Sequence, residues 1–237
     1  MRFARYDRIV SCYPAMWPLV VPGYVPILNG MLEALIAWRE RPKEILDLGC
    51  GPGSATIAVA PACDPEGGVT LADGSTAMLN VAVDILGDSV RASIAGDFTD
   101  PLVAAKIYVP RAYDLGLASF ALHHIDDSLK RQVIDGLGLS LRRGGLLLLA
   151  DEVVSDRPAG WEVVEKIRGR IIEDHVRVGR ITPEFWKLET SLPEADRLPF
   201  LPARIDDLTS WLARAGFAVS CPLSVFGSAL LVGVKTG

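Results

Sequence analysis

The chain has 237 residues, half of them hydrophobic and 22% charged, with a mean hydropathy of +0.29. That length suits one large α/β domain with a filled core and requires no second domain, and the composition argues against extended disorder. A net charge of −5 and a pI near 5.3 offer no diffuse attraction to a phosphate backbone, so nucleic acid is a disfavoured partner.

Short apolar runs alternate with longer segments of helical period, the pattern of a parallel sheet covered on both faces. The lead-in, residues 1–43, is rich in aromatics and prolines and ends in a predicted helix at Ile27–Arg39. Its apolar stretch from Ile9 to Leu28 is interrupted by Pro14, Pro18, Pro22 and Pro26, so it reads neither as a secretory signal nor as a membrane span. A cytoplasmic location with no membrane partner is expected. Strands are predicted at Glu44–Leu48, Val69–Ala72, Val90–Ala95, Tyr113–Ser119, Leu146–Asp151, Ala218–Leu223 and Ala229–Lys235. Helices are predicted at Ser54–Ala60, Ser75–Leu86, Ser128–Leu141 and Ile205–Ala215, the last closed by Gly216 where a left-handed cap is common. Residues 155–202 break the rhythm with helical patches around Trp161–Val178 and Thr182–Thr190, and so long a connection reads as a functional cap. The division expected within one domain is lead-in 1–43, core 44–154, cap 155–202, and C-terminal helix and hairpin 203–237.

Cys12, Cys50, Cys63 and Cys221 show no CxxC spacing and no histidine in a zinc pattern, so free thiols and no metal site are expected. Cys50, in a loop entering a helix, is either a reactive thiolate or a small residue packed into the loop.

That loop carries the chemistry. Glu44–Leu48 runs into Gly49-Cys50-Gly51-Pro52-Gly53, and a helix follows. Glycine permits the tight turn and the close approach of a ligand to the backbone, while a helix N-terminus presents unpaired N–H groups. A dinucleotide site would read GxGxxG, whereas here the spacing is GxGxG with Asp47 two residues ahead. A carboxylate there repels a pyrophosphate and attracts an ammonium. This favours S-adenosylmethionine (SAM), which has an ammonium and no phosphate, over NAD. Asp73, with Gly74 and Ser75, ends the second strand at the ligand edge of the sheet. Its carboxylate can accept both ribose hydroxyls, or cap the next helix, a task Ser75 can also serve. Asp97 ends the third strand and can accept from an adenine amino group with Phe98 beside the ring; alternatively the two are a turn aspartate and a core phenylalanine.

Taken in order, the glycine loop, Asp73 and Asp97 resemble the class I SAM-dependent methyltransferases. The resemblance runs on through Tyr113–His124 and Leu141–Leu148 to Ala215-Gly216-Phe217 and the final hairpin, covering about residues 40–150 and 203–235. It implies an α/β, Rossmann-like fold: a seven-stranded sheet with helices on both faces and the last strand antiparallel. It also implies SAM held by Asp47, Gly49, Cys50, Gly51, Gly53, Asp73, Gly74, Asp97 and Phe98. Val21-Pro22-Gly23-Tyr24, Ser119-Phe120-Ala121-Leu122 and Phe226-Gly227-Ser228-Ala229-Leu230 are similar to the branch containing the carboxy-SAM synthase of tRNA wobble-uridine modification. That likeness implies that Tyr24 reaches over the cofactor, where the residues alone equally allow a hydrophobic staple, and that Ser119 lines the methionine side. The synthase holds its extra carboxylate with a cap arginine; the aligned position here is Pro193, and Arg197 lies out of register.

Methyl transfer is an in-line displacement that needs alignment and exclusion of water, and a base only for a weakly acidic nucleophile. His123 and His124 end strand four, where alternation sends one toward the core and one toward the opposite face, each readable as a base or as a packing residue. His175, in the cap, either faces the transferred methyl or lies solvated among charges. Trp161, Phe185 and Trp186 wall an apolar substrate pocket or form the cap's own core, and Asp151 and Glu152 bond substrate or cap a helix. The expectation is a SAM-dependent methyltransferase acting on a small uncharged or cationic metabolite. A carboxy-SAM-type enzyme and a non-catalytic SAM-fold binding subunit are the alternatives, and the oligomeric state, a homodimer included, stays open.

Overall fold

A computed structural model describes residues 3–38, 40–64, 66–155, 158–190 and 198–237. Three helices, α1 (Ala4–Ile9), α2 (Tyr13–Val20) and α3 (Tyr24–Trp38), precede the first strand. Then β1 (Glu44–Leu48), α4 (Ser54–Val59), β2 (Gly68–Asp73), α5 (Thr76–Leu86), β3 (Val90–Ala95), α6 (Pro101–Ile107), β4 (Tyr113–Ser119), α7 (Asp127–Ser140) and β5 (Leu141–Val154) alternate. The inserted helices α8 (Pro158–Arg177) and α9 (Pro183–Thr190) follow. The described chain closes with β6 (Ala203–Arg204), α10 (Ile205–Arg214), β7 (Phe217–Val225) and β8 (Ser228–Lys235).

The sheet runs β3-β2-β1-β4-β5-β8-β7, with β8 antiparallel to both β5 and β7 and the remaining main-sheet pairs parallel. This is the expected Rossmann-like architecture with its last strand reversed. The expected seven strands gain a two-residue eighth, β6, which pairs with Val153 and Val154 where β5 outruns its predicted end. Alternation along the strands feeds two cores. Ile45, Leu115, Leu117, Leu146 and Leu148 pack under α3, α4 and α5, while Leu46, Leu48, Leu147 and Leu149 pack against α7 and α10.

Among the described residues no single helix is long and apolar enough to cross a membrane; α2 and α3 pass such a test only jointly, across a 99° bend. Their apolar residues are occupied in the fold, with Tyr13, Trp17, Ile27, Met31 and Leu35 buried in the first core.

Chain order turns back between β1 and β4, because β2 and β3 extend one way from β1 and β4 the other. In open α/β sheets that switch leaves a crevice at the strand C-termini. The candidate residues are delivered to it.

Candidate active site

A cleft of about 770 Å³ opens there, walled by the segments that leave β1, β2, β3 and β4. Gly49, Cys50, Gly51, Pro52 and Ser54 form one wall, Asp73 and Gly74 the next, Asp97 and Phe98 the third, and Ser119 through Ala121 with His124 and Ile125 the fourth. Phe3, Tyr6, Tyr13 and Tyr24 close over it from the lead-in, and Leu198 approaches from the end of the insertion.

The glycine loop needs its glycines. Gly49, Gly51 and Gly53 have φ of 65°, 52° and 85°, a region that costs an L side chain roughly 1–2 kcal/mol. A Cβ at Gly49 would lie 2.4 Å from the Ala121 Cβ, so the loop could not sit against the β4 exit. At Gly51 a Cβ would meet nothing within 4 Å, because that position faces the cleft. Gly53 turns the chain into α4 and packs against Ala82 of α5 rather than lining the cleft. Cys50 is 4% exposed, and burial, reinforced by Asp47 and Asp73, pushes its thiol well above the ordinary value. It is the packed loop residue and not a thiolate.

Asp73 fastens the loop. One carboxylate oxygen accepts the Gly51 N–H at 2.7 Å and the other the Ser75 N–H at 2.7 Å, which leaves a free lone pair on each. Ser75 itself caps α5 by accepting from Met78 N–H at 3.1 Å. Burial raises the Asp73 pKa, partly offset by those two N–H groups. Asp97 folds its own turn, accepting from Thr99 N–H at 2.9 Å and Thr99 O–H at 2.6 Å.

Asp47 lies behind the loop and not on the cleft surface. It is fully buried, one oxygen accepts from Thr56 O–H at 2.7 Å, and the other has no hydrogen-bond partner. Burial lifts its pKa to about 6, with Thr56 opposing and Asp73 adding. No lysine or arginine lines the cleft among the described residues; Asp73 and Asp97 stand on its walls and Asp47 behind them, while the Arg5 guanidinium lies outside the lining, 5.8 Å from the Tyr6 ring. Such a site draws cations and repels phosphates.

The two adjacent histidines do not end β4 as expected: they lie in a 3-10 turn, Leu122–His124, beyond it, so strand alternation does not set their directions, and their rings are 3.9 Å apart. His123 turns into the protein, 4% exposed, with Nδ1 at 2.5 Å from Asp151 Oδ1. Burial lowers its pKa, but Asp151 and Glu152 outweigh burial and leave it raised. His124 faces the cleft, its Nδ1 2.9 Å from the Pro199 carbonyl and its Nε2 2.6 Å from the Tyr6 hydroxyl. His175 is carried on α8 and does not line this cleft. Asp151 pairs with His123 and Glu152 with Arg168 of α8, so both carboxylates are engaged within the protein. Trp161 packs beside Gly227 around a second, shallower pocket and Phe185 is buried, so neither reaches the main cleft. Pro193 and Arg197 lie outside the described residues.

Sequence reasoning did not find Phe3, Tyr6 and Tyr13 as cleft residues. Their approach depends on contacts far along the chain: Phe3 lies over Gly74, where a Cβ would come within 2.4 Å of its ring, and Asp7 accepts from Ser75 O–H at 2.7 Å. Tyr24, at the start of α3, is 7% exposed and packs at 5.2 Å from the Phe120 ring.

A glycine loop at the switch point, an acid at the end of β2 and another just beyond β3, and a reversed last strand are together the features of the class I SAM-dependent methyltransferases, which this chain resembles. The methyltransferase domain family matches residues 45–145. An O-methyltransferase family protein from Burkholderia thailandensis shares the fold, with a TM-score of 0.62 and 19% identity over all of this chain and 60% of that one. The chain is also similar to carboxy-S-adenosyl-L-methionine synthases: 25% identical to that of Hydrogenovibrio crunogenus over 68% of this chain, and 32% identical to that of Chromohalobacter salexigens over 64% of it. The matched segments span only 63% and 56% of those two relatives.

Proposed function

We propose that the chain binds SAM in the switch-point cleft and transfers its methyl group to a small-molecule acceptor by in-line displacement. The observation that carries this reading is the cleft's charge: carboxylates at Asp73 and Asp97 with no lysine or arginine on the walls among the described residues. A dinucleotide pyrophosphate is poorly served there, whereas a ligand with an ammonium and a sulfonium is well served. When bound, SAM supplies an electrophilic methyl on a positively charged sulfur.

The protein's own residues would do the rest. Asp73 offers its two remaining lone pairs to the ribose hydroxyls while the Gly51 and Ser75 N–H groups hold it in place. Asp97 and Phe98 take the adenine side, and Ser119 and Tyr24 the methionine side. The buried charge of Asp47 acts through the loop on the ammonium end. The aromatic roof of Phe3, Tyr6, Tyr13 and Tyr24 excludes water from the reacting atoms. Of the three histidines, His124 alone lines the cleft and is the candidate base.

Calorimetric titration with SAM and with NADH tests the reading: micromolar SAM binding without NADH binding is expected, and the reverse would sink it. The carboxy-SAM synthase relatives favour a second reading, in which SAM is the substrate of a carboxyl transfer. An added carboxylate would need a cation, and the described cleft walls provide none. Mass analysis of the copurified ligand separates the two, because the extra carboxylate changes its mass.

A further inference from the structure

Lys130 of α7 is fully buried, with 1% of its side chain exposed. Taking an ammonium out of water is costly, and an apolar side chain of the same length would fill the space at lower cost, so packing alone does not account for it. Its ammonium donates to the Asp127 carboxylate at 2.9 Å, one turn earlier on α7, and to the Leu201 carbonyl at 2.5 Å. The Asp127 side chain is 57% exposed, and an ion pair so screened returns far less than desolvation takes. The bond that distinguishes this lysine from a surface one is therefore the bond to Leu201, 71 residues along the chain.

Leu201 belongs to a strap, residues 198–202, that is neither helix nor strand and leads into β6. With no ladder of its own, the strap is gripped from the core. Leu201 N–H donates to the His123 carbonyl at 2.7 Å, Lys130 takes the Leu201 carbonyl, and the Pro199 carbonyl lies 2.9 Å from His124 Nδ1. The Phe200 ring stands edge-on to His123 at 5.8 Å. The result is the placement of Leu198, the one described residue of the insertion that lines the cleft. The SAM reading above assigns the glycine loop, the two acids with their neighbours, Ser119 and Tyr24 to the cofactor. Ile125 and Leu198, both apolar, line the cleft without a part in that assignment. Resting on that reading, we propose that Lys130 is a positioning residue for the acceptor. Through the Leu201 carbonyl it fixes the strap so that Leu198, with Ile125, forms an apolar wall, and the acceptor lays an apolar face against it.

The test uses the full chain, its Lys130→Met and Leu198→Ala variants and the variant carrying both. Calorimetry with SAM comes first: a wild type that does not take up SAM overturns the function proposed above, while amide exchange still decides the anchor. Methionine keeps the stem of Lys130 and removes the ammonium. The Leu201 amide is expected to exchange at least about tenfold faster in Lys130→Met than in the wild type. SAM affinity should stay within about threefold in that variant, because Lys130 lies on no SAM wall; a tenfold loss would contradict the acceptor-side placement. With S-adenosylhomocysteine bound, the neutral dye prodan, a dialkylaminonaphthyl ketone, serves as the apolar probe and is followed by its fluorescence. Its affinity should fall about tenfold in Leu198→Ala and in Lys130→Met, the equivalent of losing contact with about two methylene groups, and no further in the double variant. Additive losses would show that Lys130 does not act through Leu198. A SAM-competent wild type that takes up no dye, or a Leu198→Ala variant that binds it as the wild type does, would overturn the apolar wall. Should Lys130→Met fail to fold, the wild type alone decides the anchor: a protected Leu201 amide supports it, and exchange at the rate of an unfolded chain would overturn it.

Discussion

Replacing Asp47 with asparagine should change how stability depends on pH. Asp47 is fully buried, bonded once to Thr56 and otherwise unpartnered, with a pKa raised to about 6 from an ordinary 3.8. Because the folded value stands above the unfolded one, the fold prefers the neutral carboxyl: Asp47 costs little below pH 3.8, its penalty builds as the pH rises from 3.8 to 6, and it is complete above that. A displacement from 3.8 to about 6 corresponds to about 3 kcal/mol of stability withheld at pH 8. The asparagine side chain is isosteric, keeps a partner in Thr56 and carries no charge at any pH. Its unpaired buried N–H atoms cost about 1–3 kcal/mol, but equally at every pH, so they cancel from the comparison. Urea denaturation of the ligand-free protein at pH 4 and pH 8 should show the Asp47→Asn variant gaining about 2.5 kcal/mol on the wild type between the two. The same substitution should weaken SAM, because the buried charge that destabilises the empty fold attracts the cationic ligand. A variant that tracks the wild type across that range would refute the buried-charge reasoning.

Three further outcomes are expected. Asp151→Asn should destabilise most at low pH, by about 3 kcal/mol, because the raised His123 pKa contributes stability below 6.5 that is lost as the pH rises through the folded value; denaturation at pH 6 and pH 9 checks this. Gly51→Ala should cost only ~1–2 kcal/mol of stability, since its Cβ meets no atom within 4 Å, yet should lower SAM affinity at least tenfold if the cofactor occupies that space; calorimetry beside thermal melting separates the two. Iodoacetamide should label exposed Cys221 well before buried Cys50 in the native protein, as mass-mapped peptides would show.

Much of the core is readable because strand, glycine turn and helix follow one another locally. Asp73 closing β2 and Gly49 opening the loop need only chain order. Helix α6 escapes the periodicity reading although Asp100 followed by Pro101 is a start signal: Asp100 accepts from Leu102 and Val103 N–H groups with proline in the first turn. Helices α1 and α2 are hidden by the prolines of the lead-in. Pro14 occupies the first turn of α2, where no N–H is needed, and Pro18 is carried inside a helix too short for many bonds to be lost. The apolar run suggests a start for β5 at Leu146, but the chain is already extended from Leu141, through Gly144 at φ 83°. The Tyr6 contact to His124 has no local signature at all, since it exists only once α1 is folded over the sheet edge. Asp47 illustrates the opposite difficulty. Its residue type and position are informative, but only packing reveals that it works from behind the loop.

The central claim is that SAM sits against Asp73, and calorimetric SAM titration of wild type and Asp73→Ala tests it most directly. Loss of the carboxylate removes both its ribose-facing lone pairs and the 2.7 Å bond that holds Gly51, so affinity should fall on the order of tenfold or more in a variant that remains folded by circular dichroism. An unchanged affinity would show that the cofactor does not occupy this cleft.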